Sequence, residues 1–471
     1  MDGPRPSPYI PAPGSATVSD PTGAFCPLDF RYGRPEVRAL FSREARLGRA
    51  LRVESALAEA EAAVGMIPPA AAAAITAAVE TGQVRLERVE ALEASLRHDV
   101  MAITRALAEV AGAGGAFVHL GATSADITDT ALALELAESV AILDDDLREL
   151  LRTLLDLAER ERATPAVGRT HGQHAVPISF GYKIAVAAAE VGRHRHRLRE
   201  LSPRLLVGKM AGAVGTGAGF GAHGVEIERR VMDRLGLAAD EAPTQIVGRD
   251  RIAEFTNLLA LIASTAERLS TEVRNLQRTE IGEVAETFDE ATQVGSSTMA
   301  QKRNPILSEN ISSLARLVRA FALPPMENMV QWHERDLANS ANERIVLPHA
   351  IVLADDLLVK LTDVFGHLEV HRDRLAANLA GAGGLAMTEP LMLALVERGV
   401  TRSDAHEMLR RLTRGAVADR PLAALARSDP AITAHLSGDE IDRLLDPARY
   451  VEYAAEKTER IITRWRAETA A

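Results

Sequence analysis

The side chains with the clearest capacity for chemistry lie in residues 295–305, which read GSSTMAQKRNP. The glycine permits sharp backbone bends, and the closing proline disfavours a helix that runs straight through it. This run therefore predicts a loop that carries hydroxyls, an ammonium group and an amide. A hydroxyl can remove a proton beside a carboxylate if a fixed cation and amide donors hold the resulting charge. The plainer alternative is an ordinary Gly-Ser surface turn.

Four further segments combine polar residues in a way that neither a core nor a plain surface requires. They are residues 96–100 (LRHDV), 119–130 (HLGATSADITDT), 168–177 (GRTHGQHAVP) and 332–344 (WHERDLANSANER). Each also has a structural reading, because Thr123 with Asp126 can cap a helix, Gly172 can shape a turn and the charged pairs can form salt bridges. Their order along the chain is what makes them informative.

Taken in that order, the segments resemble the motif blocks of the adenylosuccinate lyase branch of the fumarase/aspartase superfamily. The resemblance extends from about residue 31 to beyond residue 416, and it includes Arg31-Tyr32, Thr244-Gln245 and residues 249–251 (RDR). It implies an elimination that needs no metal and no cofactor, since neither a phosphate-binding Gly-rich loop nor metal-ligand spacing occurs in these blocks.

The resemblance assigns the two catalytic roles to Ser296 and His171. Ser296 would take the proton from the carbon next to a carboxylate, and His171 would protonate the departing group. Serine is a weak acid, so this role requires a loop that closes over the substrate and surrounds the hydroxyl with amide donors and Lys302.

The resemblance also implies a set of substrate-binding residues. Those for carboxylate or succinyl groups are Thr123, Ser124, Thr170, Gln245, Lys302 and Asn304. Those that match nucleotide-phosphate positions or adjoin them are Arg31, Tyr32, His98, Asp99, Arg335, Ser340 and Arg344. Guanidinium forks and hydroxyls suit a phosphate dianion.

The leaving group stays open at the level of the sequence. The phosphate-type residues favour adenylosuccinate, which would yield AMP and fumarate. The family usually has Pro-His where this chain has Ala300-Gln301, and Asn339 replaces a common histidine. A paralogue such as nitrosuccinate lyase, which releases fumarate and nitrite, is therefore the alternative. A carboxymuconate-type cycloisomerase, which usually has tryptophan where His171 stands, and a non-catalytic scaffold are less favoured.

Three apolar seams predict the long helices that must position these residues. Their spacings alternate between four and three, which suits near-parallel packing in a helix bundle. The seams consist of Leu143, Leu147, Leu150, Leu154 and Leu157; of Phe255, Leu259, Ile262, Ala266, Leu269, Val273 and Leu276; and of Ile351, Ala354, Leu358, Leu361 and Phe365. Charge runs between them, such as residues 144–146 (DDD), are expected to face solvent.

The expected fold is all-α. The resemblance implies a three-domain fumarase/aspartase-like fold with a 20-helix tetramer core and active sites shared among three subunits. We expect a disordered Pro/Gly-rich extension at residues 1–25, an N-terminal helical domain at 26–111, a central long-helix bundle at 112–365 and a C-terminal helical domain at 366–471. The central bundle contains the signature loop, residues 292–305.

Composition limits the remaining possibilities. The 471 residues carry a net charge of −11, so no global basic field exists for nucleic acid or an anionic membrane. Cys26 is the only cysteine, which excludes an internal disulfide and a thiolate metal site. The longest apolar runs, about ten residues, are too short to span a bilayer, and the N-terminal residues lack the apolar core of a signal peptide. We expect a cytoplasmic homotetramer that binds a small dicarboxylate.

Overall fold

The computed structural model describes residues 26–288, 298–299, 301–381, 383–414 and 420–469. The α-helices are α1 Pro35–Ala39, α2 Arg43–Ala63, α3 Pro69–Glu80, α4 Leu86–Leu96, α5 Asp99–Val110, α6 Ser124–Arg160, α7 Phe180–Leu205, α8 Gly224–Leu235, α9 Asp250–Leu276, α10 Ile306–Ala320, α11 Leu323–Glu327, α12 Ser340–Gly366, α13 Arg372–Gly381, α14 Thr388–Glu397, α15 Arg402–Thr413, α16 Leu422–Ser428, α17 Pro430–Thr433, α18 Gly438–Leu444, α19 Pro447–Tyr450 and α20 Glu452–Thr469. The strands are β1 Pro165–Thr170, β2 Gln173–Ser179, β3 Val207–Gly208, β4 Ala238–Ala239, β5 Val284–Ala285 and β6 Glu369–Val370.

Helices α6, α7, α9, α10 and α12 form the central bundle. Helix α6 packs against α7 and α12, and α9 packs against α7, α10 and α12. Every residue of the three predicted seams is buried in the one core that these helices share. The prediction of three long apolar helices in an all-α fold is therefore confirmed, and the strands of the described residues form two-stranded pairs.

Smaller apolar clusters lie on either side of the bundle. Helices α2 to α5 and α8 enclose two of them, and α14 to α18 enclose a third. Helix α20 returns to the bundle, where the buried Trp465 covers Gly192 of α7. A Cβ at Gly192 would lie 2.4 Å from the Trp465 ring, so this close approach requires glycine. The domain limits given above stay a prediction.

The acidic run at the middle of α6 differs from expectation. Asp146 is buried, and its Oδ1 accepts a hydrogen bond of 2.8 Å from Nη2 of Arg34. The same guanidinium donates through Nε to Asp355 of α12, at 3.0 Å. Burial and the neighbouring Asp355 raise the pKa of Asp146 well above its usual range. The expectation of a solvated face is thus wrong at Asp146, because Arg34 supplies a buried partner.

In the described part of the chain, no single helix is both long and apolar enough to cross a membrane, although the bent pair Arg372–Gly381 and Leu385–Glu397 passes by length and composition alone.

Candidate active site

The start of α6 holds the first group of predicted binding residues. Thr123 is the N-cap, and its backbone N–H donates to Oδ2 of Asp126 at 2.8 Å within the predicted capping box. Thr123 and Ser124 are partly buried at the end of a 37-residue helix. Free amides and the helix dipole make such an end favourable for a carboxylate.

Asp126 connects this helix start to the loop that follows β3. The Asp126 carboxylate pairs with the ammonium of Lys209, and both side chains are completely buried. Its Oδ1 and Oδ2 accept the backbone N–H groups of Ala211 at 2.9 Å and Gly212 at 3.0 Å. A buried carboxylate with an ion-pair partner and two amide donors fixes this loop against α6.

Gln245 lies against the same loop. Its Nε2 donates to the carbonyl of Ala213 at 2.9 Å, and its backbone N–H donates to the carbonyl of Glu334 at 3.2 Å. These two bonds bring the predicted succinyl-binding residue next to the segment that precedes α12.

Arg335 lies just before the first turn of α12. Its Nη1 donates to Oδ1 of Asn339 at 3.2 Å, and its Nη2 donates to the Ser340 hydroxyl at 2.9 Å. Among the residues described, no carboxylate lies within ion-pair distance of this guanidinium. Burial and the nearby charge of Arg249 lower the pKa of Arg335. A cation with neutral partners only is available for an anionic ligand.

A buried guanidinium, Arg249, joins the two helix starts. Its Nη1 donates to Asp129 of α6 at 2.7 Å, and its Nε donates to Glu343 of α12 at 2.9 Å. Glu343 also accepts a bond of 2.9 Å from Nδ2 of Asn339. We name Thr123, Ser124, Gln245, Arg335 and Ser340, which lie at these two helix starts or in the segments bonded to them, the α6–α12 cluster.

Sequence reasoning placed Arg249, Asp129, Glu343 and Asn339 in the ordered blocks but did not name them as site residues. Some signal existed, since Asp129 lies one turn after Asp126 and Glu343 lies one turn after Asn339 on their helices. The partner of each carboxylate was not readable from that spacing.

His98 and Asp99 adjoin this cluster through Arg344. His98 is exposed at the start of α5, where its Nδ1 accepts the Met101 N–H at 3.3 Å. Asp99 accepts a bond of 2.9 Å from Nη2 of Arg344, one turn beyond Ser340. The three predicted residues therefore extend the cluster along α12.

His119, the first residue of the second polar segment, is a further residue of this region, and the sequence analysis assigned it no role in the site. It has a positive φ of 66°, and its Nδ1 lies 2.7 Å from Oε1 of Glu54 in α2. Burial alone would lower the pKa of His119, but the Glu54 carboxylate outweighs burial and raises it. An imidazole held in this way precedes Thr123 by four residues.

Arg31 and Tyr32 occupy a different place. The Tyr32 ring lies 5.1 Å from Nζ of Lys360 and 5.8 Å from the Arg31 guanidinium. Lys360 and Ser340 are twenty residues apart on α12, a separation of about 30 Å along a helix. Within one chain, Arg31 and Tyr32 are thus remote from the α6–α12 cluster.

Thr170 and His171 lie at the tip of the β1–β2 hairpin. Thr170 pairs with Gln173, so His171 and Gly172 form a two-residue turn, with φ of 55° and 73°. Positive φ at both positions is the combination of a type I′ hairpin turn. The exposed imidazole therefore projects from the tip of a hairpin. The sequence analysis had recognised a possible turn at Gly172 but not the two strands that flank it.

The hairpin is held near the far end of α9. Nη1 of Arg169 donates to Glu283 at 2.9 Å, and Gly172 lines a cavity of about 720 Å³ together with Asn275 and Leu276. These contacts place the His171 turn beside the last residues of α9.

The described residues on either side of the signature loop, Glu286 and Leu307, lie at this same end of α9. Ser296 lies outside the described residues, so its predicted role as the base stays a prediction. At the base of the loop, the Glu286 carboxylate accepts the N–H groups of Leu307 at 3.1 Å and Ser308 at 2.7 Å. Helix α10 begins at Ile306, directly after Pro305.

Lys302 and Asn304 lie among the described residues at the end of the loop. Lys302 is exposed, and the carbonyl of Arg303 between them accepts a bond of 3.4 Å from Gln277, which follows α9. We name Thr170, His171, Lys302 and Asn304 the hairpin-end group.

The two groups lie at opposite ends of one helix. Arg249, in the α6–α12 cluster network, directly precedes α9, whereas Gln277 and Glu283 follow it. A helix of 27 residues is about 40 Å long. One chain therefore brings together the predicted carboxylate and phosphate residues of the α6–α12 cluster, but it separates them from His171, Lys302 and Asn304.

The segment before α12 carries an exposed aromatic side chain. Trp332 is 75% exposed, and its backbone N–H donates to Oδ2 of Asp336 at 2.7 Å.

In the described ranges, no three His, Cys, Asp or Glu side chains converge as metal ligands.

Two family models match the chain. A model described as "Lyase" matches residues 29–320, and one described as "Adenylosuccinate lyase C-terminus" matches residues 384–461.

Similar proteins cover almost the whole chain. A Pyrococcus horikoshii protein named adenylosuccinate lyase is 46% identical over 93% of this chain and 97% of its own length. A Methanocaldococcus jannaschii protein of the same name is 42% identical over 93% and 95%. Among solved structures, a fumarate lyase from Mesorhizobium sp. has a TM-score of 0.84 at 32% identity, covering 92% of this chain and 98% of that one. The 3-carboxy-cis,cis-muconate lactonizing enzyme from Pseudomonas putida has a TM-score of 0.84 at 34% identity, covering 93% and 98%.

Proposed function

The chain belongs to the adenylosuccinate lyase family of the fumarase/aspartase superfamily, and from this premise we propose that it cleaves adenylosuccinate to AMP and fumarate. The observation that carries the proposal is the Arg335 guanidinium, which has the neutral partners Asn339 and Ser340 and no ion-pair partner in the described ranges. Arg249 links the start of α12, beside which Arg335 lies, to the start of α6, and Gln245 bonds to the carbonyl of Glu334, the neighbour of Arg335. Such a cluster can hold a phosphate at one end and carboxylates at the other.

The reaction is an anti β-elimination. Ser296 removes a proton from the carbon next to a succinyl carboxylate, and the electron pair spreads into that carboxylate, which Lys302 and Asn304 hold. The electrons then form the double bond of fumarate as the C–N bond breaks. His171 donates a proton to the departing nitrogen, because an amine is a poor leaving group unless it is protonated.

The active assembly is a homotetramer with sites shared between subunits, and the reaction takes place in the cytoplasm. The separation of about 40 Å along α9 supports sharing, since no single chain gathers the α6–α12 cluster and His171. Large apolar side chains exposed near the start of α12 support an interface there. They are Leu323, Val330, Leu337 and Ile345.

The test is incubation of the purified full-length protein with adenylosuccinate and, separately, with nitrosuccinate. We expect AMP and fumarate in equal amounts from the first substrate, followed by ultraviolet absorbance and chromatography. A Ser296→Ala protein of the same assembly state is the control for a contaminating lyase. Nitrite from the second substrate without AMP from the first would replace this proposal with the nitrosuccinate reaction.

A further inference from the structure

The environment of Arg335 has a feature that the reaction itself does not require. We infer that Asn339 is a positioning residue that keeps the Arg335 guanidinium directed at the phosphate of the nucleotide. The inference rests on the proposed function in one respect, that the anion is the phosphate of AMP. Asn339 itself touches neither substrate nor product.

Asn339 uses both ends of its amide. Its side chain is buried with 1% exposure, its Oδ1 accepts from Nη1 of Arg335 at 3.2 Å, and its Nδ2 donates to Oε1 of Glu343 at 2.9 Å. Among uncharged side chains, a primary amide offers an acceptor and donors on one rigid plane. It therefore fits between a guanidinium and a carboxylate without adding charge.

The placement of Asn339 keeps two opposite charges apart. The Glu343 carboxylate bonds to Nε of Arg249 at 2.9 Å and, at its Oε1, also to Asn339. If Glu343 paired with Arg335 directly, the guanidinium would be neutralised and turned toward the core. The amide of Asn339 occupies that position instead, so the positive charge of Arg335 is left for an incoming dianion.

The remaining charges around Asn339 are accounted for by the same network. Arg249 is neutralised by Asp129 at 2.7 Å as well as by Glu343. The Ser340 hydroxyl accepts from the second terminal nitrogen of Arg335 at 2.9 Å. Arg335 is thus held at both terminal nitrogens by neutral acceptors, which fixes its direction and leaves its charge uncompensated.

The first test is Asn339→Asp, which keeps the shape and replaces the neutral amide by a carboxylate. The carboxylate would pair with Arg335 and lose the bond to Glu343. Because hydrogen bonds to charged groups account for about one to two orders of magnitude in binding, we expect AMP to bind roughly ten- to a hundredfold more weakly. The KM for adenylosuccinate should rise similarly while kcat stays within about threefold, because the reacting atoms lie elsewhere.

The matched control is Asn342→Asp. Asn342 lies on the same turn of α12, but its amide bonds to Asn328 at 2.7 and 2.8 Å and makes no hydrogen bond to Arg335. The same chemical change at this position should leave AMP affinity unaltered. Calorimetry with AMP and thermal melting of each full-length variant provide the measurements.

A second variant, Asn339→His, covers the case in which Asn339→Asp does not fold. A neutral imidazole also offers one acceptor and one donor, so at pH 8 AMP affinity should stay near that of the wild type. At pH 6 a protonated imidazole would donate at both nitrogens and repel Arg335 and Arg249, with Glu343 and Asp129 as the facing carboxylates. The ratio of variant to wild-type Kd should therefore rise several-fold between pH 8 and pH 6.

Two results would overturn the inference. One is wild-type AMP affinity in a folded Asn339→Asp protein, and the other is an equal loss of kcat and AMP affinity with a lowered melting temperature, which indicates structural damage only. A wild-type protein that binds AMP but releases no fumarate from adenylosuccinate would refute the proposed reaction, and the comparison of AMP affinities would still decide the role of Asn339. Failure of the wild type to bind AMP would refute both.

Discussion

At the scale of single residues, the hairpin turn explains how His171 is presented. Both turn residues have positive φ, which glycine tolerates and histidine adopts more readily than most side chains. The turn places the imidazole at a tip, where it is exposed among the residues that the structure describes. Such a side chain is suited to complete a site on another surface.

Replacement of this imidazole should remove the general acid. We expect His171→Ala to lower kcat for adenylosuccinate by about 10²- to 10⁴-fold, the usual contribution of a positioned acid. Steady-state release of fumarate measures the loss. His174→Ala is the matched control, because His174 is also exposed on the same hairpin and lies on the following strand. A mild loss in His171→Ala would instead indicate a leaving group, such as nitrite, that needs no proton.

The identities of candidate residues were predictable from the sequence, but their partners were not. Hydroxyls, guanidinium groups and imidazoles in ordered blocks indicate what each residue can bind. The partner of Asp129, by contrast, is Arg249, 120 residues later, and that of His119 is Glu54, 65 residues earlier. Contacts of this kind depend on how helices cross, which local spacing does not specify.

At the scale of elements, the seams predicted the long helices because apolar periodicity alone determines which face a helix buries. The β1–β2 hairpin was missed, since its strands do not alternate apolar and polar residues and the turn signal of Gly172 was read without strands. Asp146 was misjudged for a different reason. Its position in an acidic run favoured solvent, whereas Arg34, 112 residues earlier, supplies a buried partner.

Helix α2 contains a group with an unusual pH dependence. Glu61 is fully buried, and neither carboxylate oxygen has a hydrogen-bond partner among the described residues. Burial, with a smaller effect of Glu54, raises the pKa of Glu61 from 4.5 to about 8. The folded protein therefore holds a proton that the unfolded chain releases above pH 4.5, so this group's contribution to stability is complete below that pH and declines as the pH rises to 8.

Glu61→Gln should remove this dependence. The amide cannot ionise, so the free energy of unfolding of the variant relative to wild type should increase by roughly 1–3 kcal/mol between pH 5 and pH 8. Denaturant unfolding at the two pH values measures the difference. Glu80→Gln, an exposed change at the end of α3, is the control. If the free energy of unfolding of Glu61→Gln differed from that of the wild type by the same amount at pH 5 and pH 8, Glu61 would be ionised at both pH values in the folded protein.

At the scale of the whole molecule, the structure shows which predicted site residues lie together in one chain and which lie far apart. The order of the blocks in the sequence did not indicate this. The chain order of the blocks gives no information on which end of a long helix each block occupies. Because α9 separates Arg335 from His171 by about its full length of 40 Å, the groups can meet only across subunits if they serve one site.

Mixed assemblies should therefore recover activity. We expect His171→Ala and Arg335→Ala proteins to be inactive separately and to regain fumarate release after joint unfolding and refolding, since some hybrid sites receive both intact residues. Differently tagged subunits and tandem purification show that hybrids have formed. Two copies of the same variant, mixed in the same way, are the control. Hybrids without activity would place both residues in the site of a single chain.

The two tryptophans of the chain occupy opposite environments. Trp465 is 3% exposed against Gly192, whereas Trp332 is 75% exposed three residues before Arg335. An indole in water emits at longer wavelength than one in an apolar core, and a dissolved quencher reaches only the former. The intrinsic fluorescence of the protein consequently contains two signals, one for the integrity of the bundle and one that changes when a ligand or a partner subunit covers Trp332 beside the α6–α12 cluster.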